Sequence, residues 1–187
     1  MKFDIHPLTP ERWHDVERLF GKNGACEGCW CMYWRVRNKD FKKRSNAINQ
    51  ADFKDIVEEG RKPGLLAYVE DQPVGWCSIA PREEFSERIN HSHVFKSVDN
   101  KPVWSILCFF VHKDFRNRGI ARQLLRHAIE FAKTQGAKTL EAFPKDNADR
   151  TSDAAVYMGT IDLYQEFNFV EVHRHHPKRP IMRYEIT

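Results

Sequence analysis

The chain has 187 residues, 41% of them hydrophobic, and a net charge of +4. That length suits one domain, residues 1–187, with a core of its own. No apolar run reaches the ~18 residues that span a bilayer, and the lysines and arginines are too evenly mixed with acids to form a nucleic-acid stripe.

Residues 2–7 alternate weakly and read as a first strand. Thr9 is a good N-cap with Pro10 behind it, and the helix over 10–20 puts Trp13, Val16, Leu19 and Phe20 on one face. Gly21 and Gly24 end it. Residues 25–48 lack a clear period: 29–34 is dense and apolar, and 35–46 is charged, with Lys42-Lys43-Arg44 most simply a solvated turn. A helix over 49–59 stops at Gly60. Strands 65–70 and 74–80 are joined at Asp71-Gln72-Pro73 as a hairpin. Residues 83–101 read as a polar surface loop with some helix.

Residues 103–112 form an apolar run, the pattern of a strand covered on both faces. The helix after Gly119 carries Ile120, Leu124, Leu125, Ala128, Ile129 and Ala132 on one stripe and ends at Gly136. A strand over 139–143, a polar loop over 144–153 and a helix over 154–167 follow. Asn168 closes that helix in left-handed geometry, and strands over 169–173 and 181–186 complete the chain. The fold class is α/β, a mixed sheet flanked by helices, with a right-handed crossover between the parallel strands of the 103–143 unit.

Between that central strand and the long helix lies Arg116-Asn117-Arg118-Gly119-Ile120-Ala121. Such a turn aims unpaired backbone N–H groups and the positive end of a helix dipole at one point, a place for phosphate. A Walker A loop is excluded, because Ile120 and Ala121 follow the glycine where G-K-[ST] is required. A dinucleotide fingerprint is excluded as well, since the turn holds one glycine and comes late in the chain.

The R-x-x-G-x-A pattern resembles the acyl-CoA pyrophosphate loop of the GNAT acetyltransferase superfamily. The likeness extends to the lead-in at residues 111–116 and to Leu163-Tyr164-Gln165-Glu166-Phe167-Asn168-Phe169, similar to that family's LYxxxGF segment. It also covers the element order. The segment Cys29-Trp30-Cys31-Met32-Tyr33-Trp34-Arg35 resembles one branch of the superfamily, as do Pro81-Arg82 and Met182-Arg183.

The resemblance implies a splayed sheet and a direct transfer of acetyl from acetyl-CoA, the co-substrate, to an amine acceptor. The amides of Arg116, Asn117, Arg118, Gly119, Ile120 and Ala121 would hold the pyrophosphate, and backbone groups near Phe110 and Val111 the pantetheine arm. Tyr164 falls where many members place a general acid, a role its phenol suits; its alternative is a core aromatic. Trp30, Tyr33 and Trp34 would wall the acceptor pocket. Two departures stand out: Tyr157 and Thr160 occupy the positions of that family's usual asparagine and alanine, and the central strand carries no acid. The base is then Glu141, a water, or none. A homodimer is compatible with the resemblance.

Cys26-x-x-Cys29-x-Cys31, with His14, invites a zinc site, but no second CxxC or paired histidines accompany it, and a packed aromatic–thiol segment is the better reading. Five cysteines and no export signal argue against a disulfide framework and for a cytoplasmic protein. His173 and His175 fall on one face of a strand, most simply at a solvated hairpin end. Besides the enzyme, two other readings stay open: a non-catalytic acyl-CoA-binding domain, and a thiol or metal sensor built on the N-terminal cysteines.

Overall fold

Seven strands, β1 (Asp4–Pro7), β2 (Gly64–Val69), β3 (Gln72–Pro81), β4 (Trp104–Val111), β5 (Thr139–Ala142), β6 (Val170–His176) and β7 (Arg179–Glu185), form one sheet in the order β1-β2-β3-β4-β5-β7-β6. The computed structural model describes residues 3–146 and 157–187. Every neighbouring pair is antiparallel except β4 and β5, which are parallel and joined by the helix α5 (Ile120–Thr134). The other α-helices among the described residues are α1 (Trp13–Phe20), α2 (Asn38–Phe41), α3 (Asn46–Glu58), α4 (Ser86–Ile89) and α6 (Ile161–Gln165). The α/β class and mixed sheet expected from the sequence are what the chain forms.

The 3.6-residue period of α5 decides one face. Its stripe of Ile120, Leu124, Leu125, Ala128, Ile129 and Ala132 is buried against Leu65, Cys77, Ile79 and Ile106. Gly75 makes the close approach feasible, because a Cβ there would fall 2.7 Å from Cγ2 of Ile120. On the other face Trp76 is ringed by Phe20 and Phe53, both edge-on at 5.9 Å. This aromatic cluster seats α1 and α3 on β2 and β3.

Two local readings are corrected. The hairpin turns at Glu70-Asp71, both at positive φ (49° and 62°), and Gln72 and Pro73 already belong to β3. Left-handed geometry at both positions gives the twist that a two-residue hairpin needs. The helix expected within 83–101 falls at residues 86–89. The helix expected over 154–167 covers only Ile161–Gln165 among the described residues; 154–156 lie outside them. Thr160 caps it, accepting from the N–H of Leu163 at 3.3 Å, and Gly159 at φ 82° stands just before. A left-handed residue cannot continue a right-handed helix, so residues 157–160 run irregularly.

Beside the sheet, a buried charge cluster fastens the 90–103 loop. Arg183 on β7 forms a fork with Asp99 (2.6 and 2.9 Å) and also reaches Glu141 at 2.9 Å. Arg82 meets the other oxygen of Glu141 at 3.3 Å and donates to the carbonyls of Asp99 and Lys101. Glu141 is 1% exposed, so its charge is tolerated only because two guanidinium groups meet it. Replacing Glu141 by Gln is expected to destabilise the protein by about 3 kcal/mol, read from the urea midpoint. The Arg183 fork also holds the Asp99 carboxyl at about 2, below its usual 3.8. A depressed carboxyl stabilises the fold above its ordinary value and loses that contribution as pH falls towards the folded one. Stability should therefore drop between about pH 4 and 2, and less so in Asp99→Asn, measured by thermal melts across that range.

Candidate functional site

The parallel pairing of β4 with β5 stops early. Its register runs Trp104 to Leu140, Ser105 to Glu141 and Ile106 to Ala142, and there β5 ends while β4 continues to Val111. At the parting β4 carries an extra residue. Ser78 faces Cys108 and Ile79 faces Ile106, so Leu107 is bulged, and a bulge bends its strand away from a neighbour. Beyond it the N–H of His112 donates to Val74 on β3 at 2.9 Å. Strand alternation then turns the backbone of Phe110 to β3, and that of Phe109 and Val111 into the cleft. Of the two residues named from sequence for the pantetheine arm, Val111 turns its backbone into the cleft, as does Phe109, and Phe110 turns its own to β3.

The cleft is crossed by residues 157–160. The carbonyl of Tyr157 accepts from the N–H of Phe109 at 2.6 Å, and that of Gly159 from Lys145 at 3.0 Å. Thr160 bridges Lys145 in parallel.

At the far end of β4 the chain turns into α5. Asn117 (φ 59°) and Gly119 (φ 79°) are left-handed on either side of Arg118, and no side chain caps the helix. Alternating handedness curls successive N–H groups around one concave point, an anion nest, and the dipole of α5 adds to it. Arg116 is tied back to the strand, its Nε donating to the Val111 carbonyl at 3.3 Å, and Arg118 lies 5.2 Å over the Phe115 ring. Ile120 is buried and Ala121 partly so, which leaves their amides as the groups they present. A Cβ on Gly119 would meet nothing within 4 Å. The space above the turn is open, and the constraint at Gly119 is its backbone conformation.

Tyr164 has no exposed surface. Its ring lies 5.1 Å from Phe169, and its hydroxyl donates to the carbonyl of Met158 at 3.1 Å. Burial, and then the nearby Cys77 and Cys108, push its phenol well above the usual 10. It is a protonated donor at any ordinary pH, held by a residue of the segment that crosses the cleft.

The three aromatics proposed for the acceptor side separate. Trp30 is buried in the α1–α3 cluster beside Trp13 and Phe20, its indole N–H on the Asn46 side chain. Tyr33 and Trp34 belong instead to a cluster with Leu107, Phe143 and Met158, which closes the cleft's base on the face opposite α5. Glu141 is held in the charge cluster by Arg82 and Arg183, which removes it from the candidate bases. Sequence reasoning missed Arg88, placed in a presumed surface loop but buried over the ring of Tyr33, and treated Tyr157 only as a departure from pattern.

The cysteines do not gather as a metal centre: among the described residues no three His, Cys, Asp or Glu side chains are so arranged. His14 pairs with Glu17, and Cys26 is exposed. Cys31 is buried, receiving the Trp76 indole N–H at 2.9 Å. Its thiol is lowered, first by a hydrogen bond from Cys108. Nor is any helix among the described residues long and apolar enough to cross a membrane. His173 and His175 do share a face, with ring nitrogens 3.0 Å apart.

A central strand released from its neighbour, with an anion nest at its end, defines a class of protein, and the comparisons agree with it. The chain belongs to the acetyltransferase (GNAT) family, whose sequence model matches residues 30–169. No curated protein matches it. Among solved structures it is similar in fold to an N-acetyltransferase from Staphylococcus aureus Mu50 (TM-score 0.58, 14% identity, all of both chains covered). It is likewise similar to the PaiA N-acetyltransferase of Thermoplasma acidophilum, solved in complex with coenzyme A (0.55, 14%, 99% of each chain). A third is YncA, a putative acetyltransferase from Salmonella typhimurium solved with acetyl-CoA (0.57, 13%, 99% of this chain and 94% of that one).

Proposed function

We propose that the protein transfers the acetyl group of acetyl-CoA to an amine. One observation carries this reading: the anion nest at Asn117–Gly119 and the backbone edge of Phe109 and Val111, which β5 does not pair, form one continuous track along β4. A pyrophosphate would rest on the amides of residues 116–121, and the pantetheine amides would pair with β4 as an added strand. That course brings the thioester to the base of the cleft, beside Leu107 and Cys108. Family membership, and coenzyme A or acetyl-CoA in two structures of the same fold, support this assignment.

The amine attacks the thioester carbon, and the carbon–sulfur bond breaks. Tyr164 is assigned as the acid for the departing thiolate. Its phenol keeps its proton in the free protein and would pass it to the departing sulfur on exchanging the Met158 carbonyl for it. With Glu141 committed to two arginines, the amine reaches the carbon neutral or gives its proton to water.

Calorimetric titration should give acetyl-CoA binding in the micromolar range. Gly119→Val should weaken it roughly tenfold or more, about 1.4 kcal/mol, since a β-branched residue resists φ near +79°. Undiminished affinity in that variant, with its fold intact by circular dichroism, would refute the nest. Tyr164→Phe is expected to lower kcat by about 10²-fold with acetyl-CoA affinity kept. An unchanged kcat would remove Tyr164 from the mechanism, and the same assay separates an enzyme from a domain that only binds acyl-CoA.

A further inference from the structure

Charge pairing around α4 leaves one cation over. Glu84 is met by Arg35 and, at 3.8 Å, by Arg61; Glu87 is met by Arg37 at 2.7 Å. Arg88 has no acid partner among the described residues, although it is only 7% exposed. Its guanidinium lies 3.8 Å over the ring of Tyr33 and 6.0 Å from that of Trp34, and its Nη1 is buried without any hydrogen bond. Aromatic faces steady a guanidinium but do not satisfy its N–H groups. An unpaired buried donor on a charged group is costly and rare in folded proteins. It marks a partner supplied from outside.

The position of Arg88 says which partner. Tyr157, whose carbonyl lies on Phe109 in the cleft, packs in one cluster with Tyr33, Trp34 and Leu107, and Arg88 covers the ring of Tyr33. Arg179 likewise has no acid among the described residues and meets only the sulfur of Met158, at 3.6 Å. Two cations without counter-ions among the described residues thus border the base of the cleft, on the face opposite α5. A thioester reaching that base from the nest would meet its acceptor on this face.

We propose that the acceptor is an amine that also carries a carboxylate, and that Arg88 receives the carboxylate; this rests on the acetyltransferase reading above. A guanidinium edge and a carboxylate match in plane and spacing. Stacked flat on Tyr33, the guanidinium offers an in-plane edge that suits a planar carboxylate better than a tetrahedral dianion. Seated there, the acceptor's acidic end is fixed beside Tyr33 and its amine is turned towards the thioester. Arg88 is then a specificity-determining residue that takes no part in bond making.

The test uses the full chain with saturating acetyl-CoA and reads CoA release. Acceptors are offered in sets: an amino acid, its amide, and its decarboxylated amine, with phosphoethanolamine as a dianionic arm. The expected result is a preference for carboxylates of roughly 30-fold or more in kcat/KM. Arg88→Met should flatten that preference through KM and leave the acetyl-CoA affinity unaltered, and Arg88→Lys should retain part of it. Equal use of acid and amide by the wild-type protein would overturn the inference whether or not either variant folds. Preference for phosphoethanolamine would overturn it too, as would acetyl-CoA binding without turnover of any carboxylate; in both cases the cofactor reading survives. Failure to bind acetyl-CoA at all would bring down the enzyme reading, and this inference with it.

Discussion

The geometry of the candidate site depends on the early end of the pairing between β4 and β5. Three matched residues hold the strands together, and beyond Ile106 and Ala142 they separate. A continuous parallel pair would have consumed the N–H and C=O groups of Phe109 and Val111. The bulge at Leu107 releases them and turns Leu107 towards the aromatic face, while Phe109 keeps to the α5 face with Tyr164. Both sides of the cleft are thereby furnished from one irregularity. Buried backbone groups without partners are costly, and in the free protein the carbonyl of Tyr157 answers one of them.

The same residue type serves opposite purposes on either side of the sheet's centre. Arg82 and Arg183 are buried because Glu141 and Asp99 meet them, and their effect is to lock a loop against β5 and β7. Arg88 is equally buried, but among the described residues aromatic rings and no acid meet it. Composition cannot separate the two cases. The presence or absence of a counter-charge in space does so, because a guanidinium stays protonated at any pH that the fold survives.

The α5 turn was legible in the sequence because its signals are local. A helical stripe starts beside a single glycine, and both the nest and the buried face lie within twenty residues of each other. Residues 21–36 were not legible. They are built from turns with positive φ at Ala25, Glu27, Trp30 and Cys31, residues with no preference for it, and Asn46 and Asn49 of α3 hold them from a distance through the carbonyls of Lys22 and Gly28. The segment before Tyr164 misled for another reason. Its apolar spacing imitates a helix, and Gly159 was the one local sign against it: a Cβ there would fall 2.9 Å from the Tyr164 ring. Arg88 lay hidden because four helical residues inside a polar stretch show no period.

β6 closes the sheet as an edge, and its outer side carries apolar residues: Val170 is 61% exposed and Val172 43%. Such an edge ordinarily invites another strand. Here the register against β7 breaks twice, between Glu171 and His173 and again between His173 and His176. The free N–H and C=O groups of β6 therefore never form a straight ladder of any length. A second chain arriving at this border would find mismatched spacing after every few atoms of backbone. The sheet can end in water without becoming the seed of a fibre.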